Sequence, residues 1–176
     1  MAQVLLFLVQ RKQSLTMQKR KVAFELCVYD SFEELSKEDQ TLMQAAMDAR
    51  EKAYAPYSNF HVGAAVSLAN GTVVIGNNQE NASYPSGLCA ERVAVFQAGA
   101  KFPGIGIKAI AISAASKKYK VKRPAAPCGN CRQSIAEYEQ KQNTPIRILL
   151  MGEEGEVFQC HSIADILPLA FDNSYI

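Results

Sequence analysis

The chain has 176 residues, 48% of them hydrophobic and 20% charged, and a net charge of +2. This length and balance suit one soluble, globular domain with a core of useful size. The small net charge excludes a strongly basic or acidic chain and offers no electrostatic argument for nucleic acid or an anionic membrane as partner.

The first apolar run, Val4 to Val9, is far too short to span a bilayer. No positive charge precedes it and no clear small-residue cleavage site follows, so it makes a poor secretory signal. Met17 stands directly before Gln18-Lys19-Arg20-Lys21 and is the expected working start. Residues 1–16 are then an upstream extension, with a membrane tether and an extra strand or oligomer contact as the competing readings.

Val22 to Tyr29 alternates, with Val22, Phe24, Leu26 and Val28 on one side, which predicts a strand. Ser36 suits a helix cap, with Glu38 and Asp39 in the first turn. The helix carries Leu42, Met43, Ala45, Ala46, Ala49 and Ala53 as a stripe and stops before Pro56. Two apolar runs, Gly63 to Ala69 and Thr72 to Gly76, meet at Asn70-Gly71, a dipeptide that favours a tight hairpin turn.

Cys89 to Ala100 predicts a second helix, Ile105 to Ala114 a buried strand, and Cys128 to Gln140 a third helix. Ile146 to Met151 is another buried strand and Glu156 to His161 a final one, followed by a short apolar tail, Ile163 to Ala170, interrupted by Pro168. Helices alternate with strands in the second half, so the class is α/β, with parallel pairing there and an antiparallel hairpin in front. The sheet is therefore mixed. Residues 1–35 form an N-terminal extension and residues 36–176 a single domain, with no internal repeat or linker.

The motifs that carry chemistry are Cys89-Ala90-Glu91 and, downstream, Pro127-Cys128-Gly129-Asn130-Cys131. Together they supply three thiols and one carboxylate that is not needed as a ligand. Three protein ligands leave a tetrahedral zinc one open position, the mark of a catalytic site. The metal lowers the pKa of a water there enough to make hydroxide near neutral pH. Glu91, two residues after the first thiol, is placed to handle the proton that the water gives up.

Cys89 begins one predicted helix, and Cys128 and Cys131 begin another. Residues three apart share a helix face, so both can point at one metal. Helix N-termini favour thiolate over thiol. Three thiolates exceed the charge of one zinc ion, and the excess opposes ionisation of the bound water. The helix N-termini partly offset it. Arg92 and Arg132 each follow a motif residue and could donate to a ligand sulfur.

A structural zinc site would want a fourth protein ligand, and His61 and His161, the only histidines, lie in no ligand-spaced motif. A redox Cys-x-x-Cys would leave the Cys89-Ala90-Glu91 block unexplained. Of the five cysteines, Cys27 and Cys160 remain over, most simply as free thiols in a reducing cytosol, so a cytoplasmic location is expected.

The arrangement resembles the zinc-dependent nucleoside deaminases, and most closely the short cytidine deaminases, whose zinc signature it matches. The resemblance runs from about Lys37 to Phe171. It includes Ala53 through Ala65, Asn78 through Pro85, Cys89-Ala90-Glu91-Arg92, Pro127 through Gln133, and Leu167 through Phe171. Blocks in this order are far more specific than any one of them.

The resemblance implies a three-layer α/β/α fold around a five-stranded sheet and a homotetramer; the chain alone gives no oligomer count. It implies zinc held by Cys89, Cys128 and Cys131, with Glu91 as the proton shuttle in hydrolytic deamination of cytidine or deoxycytidine. Arg92 would donate to a ligand sulfur. Asn78 and Glu80 would hydrogen-bond the ribose hydroxyls, mainly the 3′-hydroxyl, Gln79 would also bind substrate, Phe60 would meet the base, and the Ala90 N–H the pyrimidine O2. Phe171 would cross to a neighbouring subunit and stack on its base.

One departure is the basic stretch Ser116-Lys117-Lys118-Tyr119-Lys120-Val121-Lys122-Arg123-Pro124. It is expected to be a solvated loop, with a polynucleotide contact as the competing reading. Other readings stay open. They are a deaminase of another small aminopyrimidine, a polynucleotide-editing deaminase, and a non-catalytic zinc protein that binds nucleosides.

Overall fold

The computed structural model describes residues 17–176, so the Val4–Val9 run and the proposed extension 1–16 lie outside the described residues. The first helix, α1 (Lys37–Arg50), starts where expected. The Ser36 hydroxyl accepts the Asp39 backbone N–H at 3.1 Å, and Glu38 and Asp39 occupy the positive first turn. Its apolar stripe buries Leu42, Met43, Ala46 and Ala49.

Six strands form one sheet: β1 (Cys27–Tyr29), β2 (Phe60–Leu68), β3 (Val73–Asn77), β4 (Ile107–Ser116), β5 (Arg147–Met151) and β6 (Val157–Cys160), in the order β1-β6-β5-β4-β2-β3. α1 packs on one face against Ala65, Ala109, Ala111 and Leu149. The other two helices, α2 (Ala90–Lys101) and α3 (Gly129–Gln142), cover the opposite face, where Ala94, Val95 and Ile135 meet Val66, Ile110, Ile112 and Ile148. Alternate residues of the central strands thus feed two cores, giving three layers, α/β/α.

The sheet is six-stranded, not five-stranded, because β1 adds to the outer edge of β6, with Val28 opposite Phe158. β1 is shorter than expected. Only Cys27–Tyr29 pairs, and no regular structure runs from Met17 to Leu26. Among the strands of the sheet, β4 and β5 alone pair in parallel, and α3 connects them. β5 and β6 are antiparallel, since the few residues between them cannot make a crossover. The β2–β3 turn also differs from a two-residue hairpin. The Gly71 N–H reaches the Leu68 carbonyl at 3.0 Å and only Gly71 takes a positive φ (84°). This gives a longer loop that ends in a left-handed glycine. Among the described residues no helix is long and apolar enough to cross a membrane.

Candidate metal and active site

Cys89 and Cys128 occupy the N-cap positions of α2 and α3, and Cys131 lies buried in the first turn of α3. Both helix starts converge at one end of the sheet. The Cys89 and Cys128 sulfurs are 3.9 Å apart, the Cys128 and Cys131 sulfurs 3.4 Å, and all three lie within 4.8 Å of one another. A tetrahedral zinc with bonds of about 2.3 Å spaces its sulfur ligands by about 3.8 Å. The thiols therefore fit the ion in both chemistry and spacing.

Their electrostatics suit the same task. A hydrogen bond with Cys131 holds the Cys89 thiol down to about 5 against the cost of burial, and Cys128 and Arg92 add to the effect. The same bond pushes Cys131 up, and burial and the Glu91 charge push it further. A cation bound by the three sulfurs would favour their thiolate forms through its own charge.

Glu91 follows in the first turn of α2 and is 5% exposed. Burial pushes its carboxyl up; its own backbone N–H opposes this and the Cys89 charge adds to it. It lines the cavity but is not one of the clustered donor atoms. Its carboxylate is thus not needed as one of the three clustered ligands. Arg92 supports Cys89 by hydrogen bond and charge, while its Nη2 donates to the Gly87 carbonyl at 3.3 Å. Its Nε is buried without a partner among the described residues.

A cavity of about 430 Å³ opens over this cluster. Phe60, Asn78, Gln79, Glu80 and Ala90 line it along with Cys89, Glu91 and Cys128, and Val62, Leu88 and Ile112 give it apolar walls. Ala90 is the first residue of α2, where a backbone N–H has no acceptor within the helix. Glu80 accepts the N–H groups of Tyr57 (2.8 Å) and Ser58 (3.3 Å) through Oε2. Burial works against its charge, but the Ser58 hydroxyl and those two N–H groups hold its pKa below the ordinary value.

The Asn78 amide is largely engaged within the chain. Its Oδ1 accepts from the Val62 N–H at 2.8 Å and its Nδ2 donates to the Phe60 carbonyl at 2.9 Å. That closes the start of β2 and sets the backbone of Phe60. One N–H and one lone pair remain for a ligand. The Gln79 backbone pairs with Leu88 in both directions at 2.9 Å, joining the residue 78–80 segment to the one that leads into Cys89. Phe171 is not at the cavity of its own chain. It is 60% exposed and stacks on Tyr175, with ring centroids 5.5 Å apart.

Two residues that the motifs underplayed are Arg132 and Gln133. Arg132 donates to the carbonyls of Pro127 (2.8 Å) and Ile166 (2.6 Å), and Gln133 to that of Phe171 (2.9 Å). The start of α3 therefore grips both the loop before Cys128 and the C-terminal segment. Their place in the Cys131-Arg132-Gln133 run was the available signal. The basic stretch after β4 is not simply solvated. Lys120 reaches Glu153 at 2.9 Å, Lys122 reaches Glu154 at 3.8 Å, and Val121 is buried. Its continuation, Ala125 and Ala126, forms part of the cavity wall. Cys27 is exposed and Cys160 buried, and both are free thiols.

Residues 36–144 match the family model described as the cytidine and deoxycytidylate deaminase zinc-binding region. The chain is 40% identical to a cytidine deaminase of Halalkalibacterium halodurans over 75% of its own length and 92% of that protein. The crystal structure of a cytidine deaminase from Burkholderia pseudomallei superposes with a TM-score of 0.66 at 42% identity, covering 78% of this chain and all of that one. The one from Mycobacterium tuberculosis gives 0.60 at 30% identity, covering 78% and 99%. The thiol cluster, the layered fold and these likenesses agree: the chain is an enzyme of the cytidine and deoxycytidylate deaminase family, with that family's zinc-binding region.

Proposed function

We propose that this enzyme hydrolyses the exocyclic amine of cytidine and deoxycytidine, giving uridine or deoxyuridine and ammonia. The observation that carries the reading is the buried Glu91 carboxyl, which sits beside three converging thiols yet stays outside their cluster, at a cavity lined by polar groups suited to a nucleoside. When bound at Cys89, Cys128 and Cys131, zinc supplies the Lewis acidity that brings water toward hydroxide near neutral pH. Glu91 accepts the proton lost as the water oxygen adds to C4 and passes it to ring N3, then takes the second proton from the new C4 hydroxyl and delivers it to the departing amine. Water supplies the new oxygen, and the C4–N bond breaks with its electron pair leaving on ammonia.

Arg92 holds the Cys89 thiolate in place. Phe60 packs on the base, and the Ala90 N–H meets the pyrimidine O2. Glu80, whose Oε2 takes the Tyr57 and Ser58 N–H groups, accepts from a ribose hydroxyl, and Asn78 and Gln79 complete that edge. An acceptor that the bound ligand closes off from water rejects ligands that lack the matching hydroxyl. Among the described residues the only cation lining the cavity is Arg92, already bonded to Gly87, which favours an uncharged nucleoside over a nucleotide carrying a 5′-phosphate.

The exposed Phe171, held by Gln133 away from its own cavity, suits a shared active site in a homotetramer. A cytoplasmic role in pyrimidine salvage follows from the substrate and from thiols that need a reducing environment. The test is turnover of cytidine, deoxycytidine and cytidine monophosphate by zinc-loaded protein. The first two should be deaminated and the third poorly used. Preference for the monophosphate would contradict the nucleoside reading.

A further inference from the structure

The sequence from Val22 to Tyr29 has the alternation of a strand, yet only Cys27–Tyr29 pairs, along β6 alone. β1 is the last strand of the sheet, so its outer edge carries no strand among the described residues. Val22, Phe24, Leu26 and Val28 are 70%, 50%, 41% and 49% exposed. Four apolar side chains at alternate positions beside an open edge are a template for strand addition. Native edges are usually blunted by charge on the exposed face, and this face has none at those four positions.

We infer that this segment is half of an interface completed by a second copy of the chain, through antiparallel strand addition at the β1 edge. The charge pattern selects a second copy as the occupant. Exposed Lys19, Arg20 and Lys21 precede the apolar stretch, and exposed Asp30, Glu33 and Glu34 follow it. A two-fold axis at Glu25 sets Val22 opposite Val28 and Phe24 opposite Leu26 of the other copy, so the apolar faces coincide. It also brings the basic end of one copy toward the acidic end of the other, so the surface complements itself. Main-chain pairing supplies the attraction and the apolar face fixes the register. The contact lies ahead of residue 36, where the match to the family model begins, and is therefore additional to any assembly made by the deaminase domain.

The experiment is light scattering on the full chain, wild type against Phe24→Glu/Leu26→Glu, with circular dichroism as the control for folding. Wild type should have twice the particle mass of the variant. A second pair of variants tests the same contact without touching the apolar face. Arg20→Glu/Lys21→Glu should halve the mass, and adding Glu33→Lys/Glu34→Lys should restore it. Equal masses for the wild type and Phe24→Glu/Leu26→Glu would overturn the inference, as they would if residues 1–16 of the same chain covered this face. Failure of the added reversal to restore the mass would overturn it too.

Discussion

A methyl group placed on Gly76 would lie 2.6 Å from the carbonyl oxygen of Ala90, and 2.5 Å from the backbone nitrogen of Ala94. The first turn of α2 thus rests directly on the backbone of β3. That contact sets the height of Cys89, Ala90 and Glu91 above the sheet. Gly76→Ala should push α2 away, because main-chain atoms cannot rotate aside. The expected cost is about 1–3 kcal/mol of stability, the usual range for overpacking, together with weaker zinc retention. Thermal unfolding and zinc competition with a chromogenic chelator check both.

Glu91→Gln keeps the volume of the side chain and removes its basicity. Zinc content should be unchanged, since Glu91 is outside the thiol cluster. Turnover should fall by roughly 10²–10⁴, the span of general acid–base catalysis. Retained turnover with zinc bound would take Glu91 out of the mechanism.

Glu80→Ala removes an acceptor that also anchors the Tyr57 and Ser58 N–H groups. A hydrogen bond to a charged group contributes about 1.5–3 kcal/mol, or roughly 10- to 150-fold in binding. KM for nucleosides should rise on that scale, with zinc content intact. An unchanged KM would contradict the ribose role.

Arg132→Ala releases the carbonyls of Pro127 and Ile166 together. Zinc should then exchange faster, and the C-terminal segment should lose protection from proteolysis. Arg132→Lys, with one donor group in place of a planar fork, should recover only part of this. Metal-exchange kinetics and limited proteolysis on both variants separate the two effects.

Phe171→Ala should weaken nucleoside binding if this ring completes a neighbouring site. Steady-state kinetics and particle mass measured on the same preparation test this shared site. No change in either would remove Phe171 from the site.

The metal cluster was legible because its information is local. Cys89 and Cys128 lie at helix starts marked by their own sequence, and three-residue spacing brings Cys131 to the same side. The central strands were legible because apolar runs of that length need burial on both faces. The sixth strand was the harder case. Val22 to Tyr29 announced a strand, but strand number and length depend on a partner, and β6 offers only three residues to β1. The antiparallel β5–β6 pairing was missed because an alternation of helices and strands says nothing about a final hairpin. The clamp made by Arg132 spans 34 residues to Ile166, and the tether from Lys120 spans 33 to Glu153. Contacts at such separation leave no periodic trace. Asn78 shows a different limit: its type suits either a ligand or the backbone, and only the geometry reveals that Val62 and Phe60 take most of its capacity.

The most direct test of the central claim is ultraviolet-monitored deamination of cytidine by purified protein, with zinc measured on the same sample. The account predicts turnover that is lost when the metal is stripped and restored when zinc is returned. Full zinc occupancy with no turnover of cytidine or deoxycytidine would contradict it.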